Sequence, residues 1–287
     1  MKLKERTKFL FIAISSQKNE SQTDIDRFST DIFHVAHVLE CKGVDRANME
    51  IVSDWDDANW TKYDLGDINR VLPNEAYAHI RDIDCENLFI VISCHGGLKG
   101  IGENGVIRPH NFLEAIKDNN TLQTCIALFG QCHAGAFHYS NVSDPKKRIV
   151  YIGATGLRSG ASTGMKYVSP PNINITWSAN VLAYWFAQWF EDPVDVDNDG
   201  QYSIMDLYKY VTEYTNLVTN KLEKDITSKY IEEKIKLEYT KQQNGGILTQ
   251  QQQLAQDANE ELLSLIFMHQ ECWILNAAVA SSMLIEF

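Results

Sequence analysis

The chain alternates short, nearly continuous apolar runs with longer stretches in which apolar residues recur every three or four positions. The runs are Lys8 to Ile14, Met49 to Val52, Asn87 to Ser93, Cys125 to Phe129 and Ile149 to Ala154. They are rich in Ile, Val, Leu and Phe and show no polar alternation, the pattern of strands covered on both faces of a parallel sheet. After the first run, Ile25, Phe28, Ile32, Val35 and Leu39 share one helical face, with Thr23 or Asp24 capping its start and Gly43 ending it. Phe112, Leu113 and Ile116, following Pro109, predict a shorter helix. Strand and helix in alternation predict a doubly wound α/β fold: a mainly parallel sheet between two helical layers.

Beyond Ala154 the rhythm changes. The Gly-, Ser- and Pro-rich stretch Thr155 to Asn172 predicts a long loop, leading into an aromatic helix from Trp177 to Phe190. Loops of that length inside a compact domain are more often functional than idle. An acidic stretch follows at Asp195, and then a charged helical segment with Asp225/Lys229 and Glu232/Lys236 at supportive i, i+4 spacing. Gly245-Gly246 and Gln250 to Gln253 mark a surface linker, followed by the apolar segment Leu262 to Phe267 and an apolar C-terminus. The chain thus divides into a main domain over residues 1–219, carrying the acidic loop 195–206, and a helical C-terminal extension over 220–287.

Composition narrows the class. With 44% hydrophobic and 22% charged residues over 287 positions, the chain reads as an ordinary folded protein. Lys plus Arg is 26 and Asp plus Glu is 38, and the net charge of −12 argues against nucleic acid as a partner. The six cysteines (41, 85, 94, 125, 132 and 272) include no CxxC pair, which points to a reducing, cytoplasmic setting. Lys2, Lys4, Arg6 and Lys8 precede the apolar run Phe9 to Ile14, which is shorter than the roughly 7 to 15 residues of a signal-peptide core. Trp273 to Ile285 falls short of the ~20 residues that span a bilayer, so no membrane partner is expected.

Two of the five runs end in reactive side chains. The third continues as Ser93-Cys94-His95-Gly96-Gly97, and the fourth as Gly130-Gln131-Cys132-His133-Ala134-Gly135. Sites in open α/β sheets form at the carboxyl edge of the strands, where both motifs fall. Glycines after His95 let backbone approach a substrate closely, and a thiol beside an imidazole is a nucleophile type. The bland reading is strong for the pair alone, because free Cys is among the most buried residue types. Cys94, His95, Cys132 and His133 are also zinc-ligand types, but two adjacent pairs make poor tetrahedral spacing. His34, His37 and Cys41 read as ordinary helix residues, and Cys85, Cys125 and Cys272 as structural thiols. Ser15-Ser16-Gln17-Lys18-Asn19 stands where a nucleotide-binding protein would carry a Gly-rich loop.

The pairing of a strand ending in His95-Gly96 with a later one ending in Cys132-His133-Ala134-Gly135 resembles the caspase-like clan of cysteine peptidases: caspases, metacaspases, legumains, gingipains and separases. The Cys-His-small-Gly form is similar to metacaspases and bacterial legumain-like peptidases, and departs from caspases, where Cys is followed by one residue and then Gly. The resemblance covers about residues 5 to 215. It implies a three-layer αβα caspase-like fold and a cysteine endopeptidase acting on polypeptides, with Cys132 as nucleophile, His95 as proton donor to the leaving amine, and the N–H groups of Gly96 and Cys132 as oxyanion donors. It requires no cofactor for the chemistry and no acidic third partner, and no carboxylate is evident near either motif. In metacaspases and legumains an acidic residue stands two before the nucleophile, where this chain has Gly130. Gly130, Gln131 and Arg158 are therefore the candidates for the substrate pocket. If Arg158 and Lys18 point inward, the pocket favours an acidic or polar residue; if they are solvated, the net charge of −12 attracts basic substrates. Activation cuts in these families fall after the fifth strand, so self-processing of a zymogen is expected at Thr155 to Asn172 or near Gly245. The alternative is a catalytically inactive, calcium-responsive binding module of the same fold. Oligomeric state is not legible.

Asp195, Asp197, Asp199, Gly200, Ser203 and Asp206 occupy positions 1, 3, 5, 6, 9 and 12 of an EF-hand-type loop, with the Gln201 carbonyl at position 7. Hard oxygens at this spacing predict Ca²⁺. Asp206 in place of Glu resembles dockerin-type loops, and its shorter side chain weakens binding or admits Mg²⁺. The competing reading is an acidic turn that caps a helix without metal.

Overall fold

Every one of the five apolar runs forms a strand, and together they make the middle of one sheet. The computed structural model describes residues 1–14, 21–102, 104–160, 162–169, 172–254, 256–257 and 271–287. The strands are β1 (Thr7–Ile12), β2 (Met49–Val52), β3 (Asn69–Val71), β4 (Asn87–Ile92), the small pair β5 (Gly96–Gly97) and β6 (Gly100–Ile101), β7 (Thr124–Phe129), β8 (Arg148–Gly153), the hairpin β9 (Ser162–Ser169) and β10 (Ile173–Asn180), and β11 (Trp273–Leu275). The central sheet has seven strands in the order β11-β8-β7-β4-β1-β2-β3. All its pairings are parallel except that of β11 with β8.

Alternation along the buried strands feeds two cores. Phe9, Phe11, Phe89, Val91, Ile126 and Leu128 face a layer built from α1 (Gln22–Cys41), with Trp60 of α2 (Asp57–Lys62) at its edge. Leu10, Ile12, Leu88, Ile90, Cys125 and Ala127 face α3 (Ala76–Asp82) and α4 (Pro109–Asp118). The first layer is completed by α5 (Val181–Glu191) and α6 (Ile204–Gln243), through Phe186, Phe190, Ile204 and Leu207. This is the three-layer, mainly parallel α/β architecture that the alternation of runs predicts.

Three local expectations are corrected. Helix α1 begins earlier than Thr23 or Asp24, because Ser21 caps it by accepting the Asp24 N–H at 3.2 Å, leaving Asp24 in the first turn. The stretch Thr155 to Asn172 is not an open loop: from Ser162 it pairs antiparallel with β10. Trp177 lies in that strand, and α5 starts only after Asn180, whose side chain caps it by accepting the Ala183 N–H. The half-buried Ile173, Ile175 and Trp177 alternate with exposed Asn174, Thr176 and Ser178, which is a short strand period directly after a Gly-, Ser- and Pro-rich stretch. The segments Ser15 to Asn19 and Leu262 to Phe267 lie outside the described residues.

The apolar C-terminus has a place in the same body. β11 closes the sheet beside β8, and the Trp273 indole donates to the Thr155 carbonyl at 2.8 Å while stacking on Phe129. Further on, Ile285 N–H donates to the Tyr202 carbonyl at 2.7 Å, and Glu286 N–H to that of Met1 at 2.8 Å. No described helix is long and apolar enough to cross a membrane. Trp273 lies so close over Gly153 that a Cβ there would run into its ring. Gly153→Ala should therefore lower the unfolding free energy by about 1 to 3 kcal/mol in denaturant titration, as overpacking does; an unchanged midpoint would mean that β11 does not seat on β8.

Candidate active site

The site follows from strand register. Ile92 of β4 pairs with Phe129 of β7 in parallel, and His95 and Cys132 each stand three residues further on, at the same level beyond neighbouring strands. The two loops touch at Gly96, where a Cβ would collide with the Cys132 carbonyl and the Gln131 side chain. Only glycine permits that approach. Cys132 is partly exposed, with the Gly160 N–H directed at its sulfur at 3.4 Å. His133 takes a left-handed conformation (φ 55°) and opens the short 3-10 turn Ala134–Phe137. Its N–H donates to the Arg158 carbonyl at 2.8 Å, and the Gly135 N–H donates to that of Gly156 at 3.0 Å. The segment after β8 is thereby tied along the Cys132 loop.

His95 packs edge-on against Phe28 of α1, ring centroids 5.1 Å apart. Its Nε2 lies 3.7 Å from Asp24 Oδ2, which corrects the expectation that no carboxylate stands near the motifs. Asp24 is distant in sequence and arrives through the first turn of α1; nothing in the spacing of the motifs points to it.

Beneath both loops lies a residue that the motifs do not reveal. Asp31, on the buried face of α1, is 2% exposed. It accepts the Ser93 hydroxyl at 2.7 Å, the Trp177 indole N–H at 2.7 Å and the Asn180 N–H at 3.1 Å. Asn180 in turn donates its amide to the Gly130 carbonyl at 2.5 Å. Burial pushes the Asp31 carboxyl up to about 6, against the three donors and the charge of Arg27, which favour its ionised form. A charged residue between Phe28 and Val35 on an otherwise apolar helical stripe is the signal that could have found it.

Among the expected pocket residues, Gly130 and Gln131 are both buried. Gly130 is sealed between the Ile92 carbonyl and Asn180, and Gln131 lies against Gly96 with its amide unpartnered. Arg158 is exposed and lines a cavity of about 320 Å³ together with Leu157 and Glu271. Lys18 lies outside the described residues. A larger cavity, about 660 Å³, runs between α1 and β10, with Arg27, Tyr63 and Trp177 in its lining, and includes neither Cys132 nor His95. Burial pushes Cys85 up to about 12 and raises Cys125 further, so both stay neutral thiols.

Among the described residues, one group of side chains converges as metal ligands would: Asp195, Asp197 and Asp199, with carboxylate oxygens within 4.8 Å of one another. Asn198 and Gly200 take left-handed conformations, and Asp195 accepts the N–H groups of Asp199 and Gly200. Asp206 stands apart from this cluster. It is buried, and its oxygens accept the Val196 N–H, the Ser203 N–H and the Ser203 hydroxyl, forming a capping box for α6. Lys209 pairs with Asp197 at 3.3 Å. The Cys94, His95, Cys132, His133 set does not converge in this way, and Cys94 is buried.

No protein-family model and no curated protein sequence matches this chain. Among solved structures it is similar to drICE, at 11% identity and a TM-score of 0.40 over 75% of this chain and 84% of that one. It is also similar to caspase-1 from Spodoptera frugiperda, at 11% identity and a TM-score of 0.39 over 74% and 77% of the two chains.

The Asp31 carboxyl gives a test of the buried network. Its folded value of about 6 lies above the ordinary 3.8, so folding takes up a proton between the two. The stability it contributes is complete below about pH 4 and is lost as pH rises through about 6. The unfolding free energy of wild type minus that of Asp31→Asn should fall by up to about 1.4 kcal/mol per pH unit across that window. A pH-independent difference would place the carboxyl in water.

Proposed function

We propose that the protein is a cysteine endopeptidase of the caspase-like type that cleaves polypeptides through Cys132 and His95. The observation that supports this most is the contact at Gly96, which fits against the Cys132 carbonyl because it lacks a Cβ and so holds the two motifs together beyond adjacent parallel strands. Cys132 is also partly exposed there, whereas Cys85, Cys94 and Cys125 are buried.

In the reaction, Cys132 Sγ attacks the scissile carbonyl carbon, and the C–N bond breaks as His95 passes a proton to the leaving amine. Water then hydrolyses the thioester, with His95 taking its proton. The N–H groups of Gly96 and Cys132 hold the oxyanion, a contribution of about 3 to 4 kcal/mol per donor where such groups have been removed. Asp24 orients the imidazole from 3.7 Å. Arg158 and Glu271 give the cavity after β8 one charge of each sign, which favours a polar residue beside the cut. Self-processing belongs in the exposed linker around Gly245 and Gly246, because the paired hairpin β9–β10 resists entry into a protease cleft.

The acidic loop is proposed to hold one structural Ca²⁺ through Asp195, Asp197, Asp199 and the Gln201 carbonyl, with Asp206 serving as the helix cap. The ion takes no part in the chemistry. It would relieve repulsion among three clustered carboxylates and stiffen Tyr202, on which the C-terminal segment pairs.

Cys132→Ala and His95→Ala should each abolish hydrolysis of fluorogenic peptides while leaving the circular dichroism spectrum and melting curve intact. Turnover retained in Cys132→Ala would defeat the reading, and peptide bound but never cut by the wild type would make the protein a non-catalytic module. Asp24→Asn should lower kcat/KM by up to about 5-fold, the equivalent of the roughly 1 kcal/mol at most that a partly exposed ion pair contributes. In metal-stripped protein, Ca²⁺ at a hundredfold excess over Kd should stabilise by about 2.7 kcal/mol, and Asp197→Ala with Asp199→Ala should remove the shift; a melting curve indifferent to Ca²⁺ leaves only a capping turn.

A further inference from the structure

Two polar contacts fix the strand ends from below, and they are placed alike. Ser93 stands two residues before His95 and donates to Asp31; the Gly130 carbonyl stands two residues before Cys132 and accepts from Asn180. Asn180 is itself locked at every polar atom the structure pairs. Its N–H donates to Asp31, its Oδ1 caps α5 by accepting the Ala183 N–H at 3.1 Å, and its Nδ2 is left with the Gly130 carbonyl as target. No side chain fits at Gly130, because the Ile92 carbonyl and the Asn180 amide would both crowd a Cβ there. Pinning that carbonyl fixes the plane of the Gly130–Gln131 peptide, the unit from which buried Gln131 leads to the Cys132 N–H.

We infer that Asn180, seated on the buried Asp31, is a positioning residue that sets the Cys132 loop in register with the His95 loop for acyl transfer. The inference rests on the peptidase reading above. It assigns the α1–β10–α5 junction a task beyond packing: a single buried acceptor gives both reacting groups a common reference. Misplacement of reacting groups by about 1 Å costs on the order of 100-fold in rate, whereas alkylation of a thiol uses no oxyanion donors and, at a pH where the thiol ionises unaided, no imidazole.

The test uses Asn180→Ser, which keeps a cap for α5 but cannot reach the Gly130 carbonyl, and Ser93→Ala, which removes the donor on the His95 side. Each folded variant is compared with wild type for kcat and KM on a fluorogenic peptide and for the rate of Cys132 alkylation by iodoacetamide at about pH 10, above the ordinary thiol range, where ionisation needs no imidazole. The expected result is a fall in kcat of about 10- to 100-fold, with KM and the alkylation rate each within about twofold of wild type. Turnover within threefold of wild type in both variants overturns the positioning role. So does a parallel loss of turnover and alkylation, which marks general collapse of the loop. If Asn180→Ser does not fold, Ser93→Ala decides by the same measures. A wild type without turnover overturns the peptidase reading and this inference with it.

Discussion

A carboxylate withdrawn from water must be met by donors, because an unpaired buried charge costs several kcal/mol. Asp31 meets that constraint with a hydroxyl from the end of β4, an indole from β10 and a backbone N–H from the start of α5. Those partners come from two distant parts of the chain, Ser93 just past β4 and the last residues of β10. Satisfying one side chain therefore fixes how α1 lies on the sheet, where the hairpin re-enters the body, and where two strand ends stand relative to each other. Asn180 extends the same network to β7 through the Gly130 carbonyl. Apolar packing supplies most of the stability of such a core, but it does not specify position to the same degree, and the polar hub does.

Above that hub the proposed chemistry depends on register and on one missing Cβ. Parallel strands in matched register deliver residues equally far beyond their ends to the same level. His95 and Cys132 meet that condition, and Gly96 lets their loops touch. The remaining parts brace the arrangement. Residues 156–160 run along the Cys132 loop, and Trp273 of the edge strand holds the start of that segment at Thr155. Asp24 and Phe28 bring the first turns of α1 to the imidazole. The C-terminal strand, far from the motifs in sequence, is thus part of the support of the site.

What could be read in the sequence was what hydrophobic pattern carries. The five buried strands are legible because their faces are both apolar, and the two reactive strand ends because they follow such runs directly. The hairpin escaped because the alternation of Ile173, Ile175 and Trp177 is short and follows directly on a Gly-, Ser- and Pro-rich stretch that reads as loop. β11 escaped because three residues, Trp273 to Leu275, are too few to show a period. Asp24 was invisible for a different reason: it acts through a contact across the fold, and a helix with several acidic residues does not say which one meets the imidazole. Asp31 showed only as a charge on the apolar stripe of α1, without its partners. Asp206 shows the converse. Its position in the loop pattern suits a metal ligand, yet its buried oxygens are engaged in capping α6.

The proposed role of Cys132, a nucleophile activated toward acyl transfer, sets it apart from a mere thiol at a strand end. The most direct measurement is peptide mapping by mass spectrometry after reaction with a peptidyl acyloxymethyl ketone, which modifies peptidase nucleophiles far faster than ordinary thiols. A single adduct on Cys132 that disappears in His95→Ala is expected. An adduct on Cys41 or Cys272, or labelling of Cys132 that is indifferent to His95, would contradict that role.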